Sequence, residues 1–324
     1  MGREPMDHNE KPTLVFMGTP DFAAASLNHL APLYDIRLVV SQPDRPRGRG
    51  KRLQPSPVKA LAMELGIPVR TPELIGADAE VLEELTKIQP DFIIVVAYGQ
   101  ILPKEILELP TYGCINLHAS LLPAYRGAAP VQEAILRGDL RTGNTTMLMD
   151  EGLDTGHILL QEEIEVPETM TTGELFDRLE KMGPKLLEDT VSGLIQGSIS
   201  PVPQPLEGVS YVSKITKKDA EIDFDKPSRE ILNLIRGMHP APLAYSFAGE
   251  IMVKIHKAEL AEASGEEAPG TILKQDKNGI LVKTRDGAIT IKELQLPGKK
   301  PMAVRDFLNG NRIEPEKFTR SDRF

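Results

Sequence analysis

The chain has 324 residues, 40% of them hydrophobic and 26% charged, with a formal net charge of −9 and a single cysteine. This composition excludes a wholly disordered chain and a disulfide-stapled secreted fold, and no run approaches the ~18 apolar residues of a membrane span. The length suits two domains.

The first twelve residues, MGREPMDHNEKP, are polar and lack the apolar core of a signal peptide. Met6 stands where a myristoylation signal needs Ser or Thr. Residues 1–11 are expected to be a flexible tail, and the chain is expected to be cytoplasmic with no membrane association. TLVFM (13–17) reads as a strand that stops at Gly18, followed by a helix start at Thr19-Pro20-Asp21. DIRLVVS (35–41) is a second strand. The segment 42–59, QPDRPRGRGKRLQPSPVK, carries Arg45, Arg47, Arg49, Lys51, Arg52 and Lys59 against one acid, Asp44. Proline and glycine punctuate it, so it reads as a long loop, and six cations there suit phosphate contacts. A solvated basic loop is the plainer alternative.

Helices are expected over 57–65 and 77–89, and DFIIVVAYG (91–99) reads as a strand covered on both faces. GCINLH (113–118) is a fourth strand. Residues 128–138 are expected to be helical, TTMLMD (145–150) to be a strand, and HILLQEEIEV (157–166) one or two more. Alternating strands and helices imply a Rossmann-like α/β domain with a mostly parallel sheet. A helix from about 172 to 196 opens with a Thr171/Glu174 capping box, and Pro184 is expected to kink or split it. SISPVPQPLEG (198–208) then reads as a stiff, extended, Pro-rich linker.

Beyond the linker the pattern changes. One helix is expected over 227–236 with Pro227 first, followed by the β runs IMVKIHK, GTIL, GILVKT and AITIKEL between tight turns. Short strands and one helix suggest a small β-barrel of the oligonucleotide-binding (OB) type. From Tyr211 onward there are 20 Lys and Arg against 17 Asp and Glu, whereas residues 1–210 hold 18 against 30. An acidic front and a mildly basic back point to domains with different partners. The expected boundaries are a catalytic domain over 12–197, a linker over 198–210 and a barrel over 211–324.

The chemistry concentrates where GCINLH ends. Strand side chains alternate, so Asn116 and His118 share a face, and Ser120 rejoins them if the chain stays extended. Ligands of open α/β sheets bind beyond the carboxyl ends of the strands, and two donors there suit a carbonyl that gains negative charge. In DEGLDTGHIL (150–159) Asp154 sits in a glycine-flanked loop, placed to orient a histidine. A capping Asn, a core His and a turn Asp are the bland alternatives. GRGKRL lacks the third glycine of a dinucleotide fingerprint and there is no P-loop, which disfavours a nicotinamide oxidoreductase. His118 and His157 lack zinc-site spacing, so no metal is expected. Cys114 reads as a small buried hydrophobe.

NLHASLLPAYRGAAP, GLDTGHIL and QPDRPRGRGK together resemble the folate-dependent formyltransferase family, in its branch that formylates initiator methionyl-tRNA. The resemblance covers the chain from about residue 13 into the C-terminal region. It implies formyl transfer from 10-formyltetrahydrofolate, as co-substrate, to the α-amino group of methionine on initiator tRNA, in translation initiation. It implies Asn116, His118 and Asp154 as catalytic residues and Ser120, Leu121, Leu122 and Pro123 as the folate-binding segment. Arg49 matches an arginine of the family's tRNA-contacting loop, and Arg45, Arg47, Lys51 and Arg52 surround it. It leaves open whether His118 acts as a base or as a cation, and Leu121 and Leu122 could equally be core packing. Glycinamide ribonucleotide transformylase, a sugar-amine formyltransferase, a formyl-folate hydrolase and a non-catalytic tRNA-binding relative are the alternatives. A monomer is the expected state. One departure stands out: Ala241, in HPAPLAY, replaces the tryptophan of many relatives, which puts a C-terminal packing contact in doubt.

Overall fold

The computed structural model describes residues 11–47, 52–314 and 316–321. In chain order the elements of the front part are β1 (Thr13–Gly18), α1 (Asp21–Leu30), β2 (Asp35–Val40), β3 (Arg45–Arg47), β4 (Arg52–Gln54), α2 (Pro57–Glu64), β5 (Val69–Arg70), α3 (Ala79–Ile88), β6 (Phe92–Val96), α4 (Lys104–Leu107), β7 (Cys114–His118), β8 (Arg126–Gly127), α5 (Pro130–Arg137), β9 (Arg141–Leu148), β10 (His157–Glu165) and α6 (Thr172–Gln196). The chain divides into two compact units, each drawing on separate stretches. The first holds residues up to Gly127, Gly143–Glu163 and Arg178–Tyr211; the second holds Ala128–Thr142, Ile164–Asp177 and the chain from Val212.

The first unit is built on a seven-stranded sheet in the order β10-β9-β7-β6-β1-β2-β5. β5, β2, β1, β6 and β7 run parallel, and β9 returns antiparallel to β7. All five residues of β6, Phe-Ile-Ile-Val-Val, are buried. A continuous β-branched run is what a parallel strand needs when both of its faces are covered. Val95 of β6 is paired with Asn116 of β7, and His118 with Thr145 of β9, which fixes the register of the polar strand end. β9 begins at Arg141, four residues before the expected strand, and 157–165 is one strand.

Three expectations change here. The basic segment is not simply a loop: β3 and β4 form an antiparallel hairpin, with Arg45 opposite Gln54 and Arg47 opposite Arg52. Helix α6 continues through Pro184 and does not split. Asn144 Nδ2 donates to Leu179 O at 2.8 Å, one residue before Glu180, whose carbonyl is the one that Pro184 leaves without a backbone donor. At its start the Thr171/Glu174 capping box closes as expected, with Thr171 N to Glu174 Oε2 at 2.8 Å and Glu174 N to Thr171 Oγ1 at 3.3 Å. Third, the Pro-rich segment is attached to the first unit, because Val202 and Ile158 exchange backbone hydrogen bonds of 2.8 and 2.9 Å.

In the second unit the elements are β11 (Tyr211–Val212, its second residue here), α7 (Ser228–Gly237), β12 (Ala244–Ala248), β13 (Ile251–Ala261), β14 (Ile272–Asp276), β15 (Gly279–Lys283), β16 (Ala288–Gln295), β17 (Met302–Ala303) and α8 (Val304–Phe307). Pro227 caps α7 and is not its first residue. The antiparallel sheet runs β12-β13-β16-β15-β14, with β17 beside β16. β12, Ala-Tyr-Ser-Phe-Ala after two prolines, was not among the strands expected from the sequence. Its edge and that of β14 are joined by the chain end: Thr319 pairs with Phe247, Ile272 N donates to Glu316 O, and Phe318 N donates to Gly270 O. This closes the sheet and removes its open edges. Gly270 is obligatory, because its φ is +88° and a Cβ would lie 2.4 Å from Phe318 O. Phe318, stacked on Phe224 at 5.6 Å, buries its ring in the barrel core with Ile231 and Ile235 of α7. Ala241 is exposed, so the absent tryptophan leaves no hole in this core.

Arg236 holds the second unit together from within. It is 9% exposed, and its guanidinium donates to Asn233 Oδ1, Met170 O and Ile135 O at 2.9–3.3 Å. Burial lowers its pKa from the ordinary arginine value. Replacing Arg236 by methionine keeps the stem but leaves these acceptors without their donor. Each buried acceptor left unmade costs about 1–3 kcal/mol and three are left, so denaturant titration should show a loss of at least about 3 kcal/mol. A variant within 0.5 kcal/mol of wild type by the same titration, roughly the scatter of neutral surface changes, contradicts this role.

Candidate active site

Asn116, His118 and Asp154 all lie in the first unit. β7 presents Asn116 and His118 on one face, and the loop between β9 and β10 brings Asp154 to them. Asn116 Nδ2 donates to Val95 O at 3.3 Å, and among the described residues its second N–H and its buried Oδ1 have no partner. His118 is 7% exposed. Its Nε2 lies 2.9 Å from Tyr125 O, and a carbonyl only accepts, so the proton is assigned to Nε2. Nδ1 faces Asp154 Oδ2 at 3.8 Å, an ion-pair distance too long for a hydrogen bond. Asp154 Oδ2 in turn accepts from Gly127 N at 2.7 Å. His118 and Asp154 therefore face one another, and Asn116 stands two residues before His118 on the same strand.

The Asp154 loop is under backbone constraint. Asp154 has φ +53°, a left-handed conformation that Asp tolerates better than most residues. Gly156 permits the close approach behind it: a Cβ there would sit 1.9 Å from Leu148 O. Both glycines of the motif thus serve packing, and the carboxylate is what they aim.

The segment after His118 divides its tasks. Ser120 is fully buried, and its hydroxyl donates to Ala124 O at 2.6 Å, so it shapes its own loop and does not return to the open face beside Asn116 and His118. Thr145 Oγ1 donates to Ser120 O and accepts from Leu122 N, while Gln161 Nε2 donates to Leu122 O. Leu122 is 3% exposed and packs inward. Leu121 and Pro123 remain half-buried and are the members of the segment available to a ligand. Of the basic residues, Arg45 and Arg52 are exposed on the hairpin and Arg47 lies on β3, while Arg49 and Lys51 lie outside the described residues. Lys59 is paired with Asp44 at 2.8 Å. Cys114 is buried and its thiol is pushed up to about 12 by desolvation, which makes it inert. Among the described residues no group of three His, Cys, Asp or Glu could hold a metal ion, and no helix is long and apolar enough to cross a membrane. An open cavity of about 450 Å³ lies between α4 and residues 149–152, but none of the expected site residues lines it.

Two residues of this neighbourhood were missed or discounted in the sequence. Arg126 is 8% exposed and donates to Gln204 Oε1 at 2.8 Å and to Tyr211 Oη at 3.0 Å. Gln204 Nε2 donates to Asp154 O and Gly156 O, both at 2.8 Å. No linear signal marks Gln204, which stands 50 residues from Asp154 in a segment that reads as a spacer.

A mostly parallel α/β sheet that carries an amide and an imidazole on β7, with a carboxylate from the loop after β9 beside the imidazole, suits an enzyme of carbonyl-group chemistry. Comparison with known proteins narrows this. The formyl transferase profile matches residues 13–191 and the profile for the formyl transferase C-terminal domain matches 214–312. A methionyl-tRNA formyltransferase of Clostridium tetani is 49% identical over 93% of this chain and 97% of that protein. One of Clostridium novyi is 48% identical over 94% and 98%. The crystal structure of an N-formyltransferase from Helicobacter canadensis, in complex with folinic acid and dTDP-3-aminofucose, superposes with a TM-score of 0.66 over 86% of this chain and 97% of that one, at 22% identity. The chain belongs to the formyl transferase family.

Proposed function

We propose that this formyltransferase transfers the formyl group of 10-formyltetrahydrofolate to the α-amino group of methionine on initiator tRNA. The observation that carries this reading is the 49% identity, over nearly the full length of both proteins, to a relative named for that reaction. The likeness to the Helicobacter canadensis N-formyltransferase, at 22% identity, concerns the fold alone. The work divides between a front part of the chain (12–197) that does the chemistry and a barrel (211–324) that contacts tRNA, in a cytoplasmic monomer.

The site's residues suit the donor. Leu121 and Pro123 offer apolar surface to a flat pterin ring, and the orphaned Asn116 Oδ1 offers an acceptor. When bound, the donor supplies a one-carbon carbonyl at the acid oxidation level. Asn116 uses its free Nδ2 hydrogen to hold the formyl oxygen as negative charge develops there. A free α-amine has a pKa of about 7.7–8.0, so a useful neutral fraction attacks near pH 7. His118 accepts the proton lost by the amine at Nδ1, the ring nitrogen not already committed to Tyr125 O, and gives it to N10 as the bond between the formyl carbon and N10 breaks and tetrahydrofolate leaves. Asp154, 3.8 Å away, balances the positive charge that the ring then carries.

The deciding assay supplies the protein with 10-formyltetrahydrofolate and, separately, charged initiator tRNA, charged elongator tRNA, glycinamide ribonucleotide and a dTDP-amino sugar. Formylmethionine from the initiator alone is expected; a formylated sugar or nucleotide, or formate released without an acceptor, overturns the reading. The exposed Arg45 and Arg52 are proposed phosphate contacts alongside Arg47, Arg49 and Lys51. Replacing Arg52 by alanine should weaken tRNA use and reduce the slope of log affinity against log salt by about one, with folate affinity unchanged. An unaltered slope removes Arg52 from the interface.

A further inference from the structure

We propose that Gln204 is a positioning residue that holds Asp154 in register with His118, an inference that rests on the reading of Asp154 as the charge partner of His118. Asp154 is secured at two points. Its carboxylate accepts from Gly127 N at 2.7 Å, and its backbone carbonyl accepts from Gln204 Nε2 at 2.8 Å. The same amide nitrogen donates its other hydrogen to Gly156 O at 2.8 Å, so Gln204 clasps the loop on both sides of Thr155. At its far end Gln204 Oε1 accepts from Arg126 Nε at 3.2 Å and Nη2 at 2.8 Å. Arg126 precedes Gly127 in the chain, so the path from Asp154 through Gln204 and Arg126 to Gly127 returns to Asp154 as a closed ring.

This ring opposes a specific tendency. Asp154 occupies a left-handed conformation, which a non-glycine residue keeps only when its surroundings over-determine it. An amide is the side chain that suits the position, because it alone offers two N–H donors at one end and an acceptor at the other. Glutamate has no donor for the two carbonyls, and methionine fills the volume with neither function.

The backbone around Gln204 is anchored as a support should be. On one side Val202 pairs with Ile158 of β10. On the other, Ser210 O accepts from Arg126 N at 2.9 Å and Ser210 Oγ accepts from Tyr125 N at 2.9 Å. Tyr125 is the residue whose carbonyl receives His118 Nε2. The strap from 202 to 210 therefore reaches the supports of both members of the pair, His118 through Tyr125 and Asp154 through Gln204.

The test measures single-turnover formyl transfer at saturating substrates for wild type, Gln204→Met, Asp154→Asn and the double variant, with KM for acceptor and donor measured alongside. If another acceptor proves to be the substrate, the same variants are compared with that acceptor. Gln204→Met is expected to slow transfer by about 10- to 100-fold with KM values unchanged, because misplacing a reacting group by a fraction of an ångström to 1 Å has effects of this order. In the Asp154→Asn background the same change should cost less than about 2-fold, since groups acting through one another are not additive. A near-normal rate for Gln204→Met beside a slow Asp154→Asn overturns the positioning role and leaves the reading of Asp154 standing. Equal losses in both backgrounds also overturn it, because a merely structural residue acts that way. A near-normal rate for Asp154→Asn overturns the reading and the inference together. If Gln204→Met does not fold, Gln204→Glu supplies the same comparison: its carboxylate keeps Arg126 as a partner while both donors to the loop are lost.

Discussion

Replacement of Asn116 by alanine should slow formyl transfer by about 10²- to 10³-fold, the loss that follows removal of one oxyanion donor, about 2.7–4 kcal/mol of barrier. The size of the effect comes from where the amide sits. It lies in the middle of β7, paired with β6 through Val95, and one of its N–H groups is tied to the Val95 carbonyl. That bond fixes the direction of the second N–H before any substrate arrives, so no reorganisation is needed as charge builds on the formyl oxygen. The tRNA dissociation constant should change little, because the Nδ2 hydrogen bond strengthens mainly in the transition state, while folate binding weakens with the loss of the Oδ1 acceptor. Single-turnover rates with equilibrium binding of each substrate check both halves. A rate within threefold of wild type excludes Asn116 from the chemistry.

Asp154→Asn isolates charge from geometry. Gly127 N–H needs an oxygen acceptor, so it should hold the amide oxygen where Oδ2 stands, 2.7 Å away, and the loop should keep its shape. What disappears is the negative charge 3.8 Å from His118 Nδ1, between side chains only 8% and 15% exposed. At an effective dielectric of about 20 such a pair is worth about 4 kcal/mol, which sets an expected loss on the order of 10²- to 10³-fold in the rate of transfer. Asp154→Ala should lose at least as much, since it forfeits the Gly127 anchor as well. The check is single-turnover transfer at fixed ionic strength. An Asn variant as fast as wild type would mean that Asp154 acts only as a turn residue, the role its own backbone conformation also permits.

Much of this arrangement was visible in the linear chain. Strand alternation places Asn116 and His118 on one face whatever surrounds them, because the period of a β-strand is two. The glycines on either side of Asp154 announced a tight loop, and the buried run at β6 announced a parallel strand. Other features carried no local mark. Leu121 and Leu122 are adjacent and identical, yet one remains half-buried while the other turns into the core. Ser120 offers a hydroxyl, but its own loop claims it. The strand β12 follows two prolines and exists because β13 and the chain end pair with it on either side.

Local chemistry along the chain thus set the period of each element, the polar end of β7, the cap of α6 and the cationic character of the hairpin. These depend on neighbours a few residues apart, and such interactions are the same in any context. Folding alone determined which nitrogen of His118 carries its proton, which groups restrain Asp154, and that a proline-rich spacer supplies Gln204 to the site. Each of those rests on hydrogen bonds between groups from 7 to 50 residues apart, and a partner that far away leaves no trace in the composition or periodicity of the segment it serves.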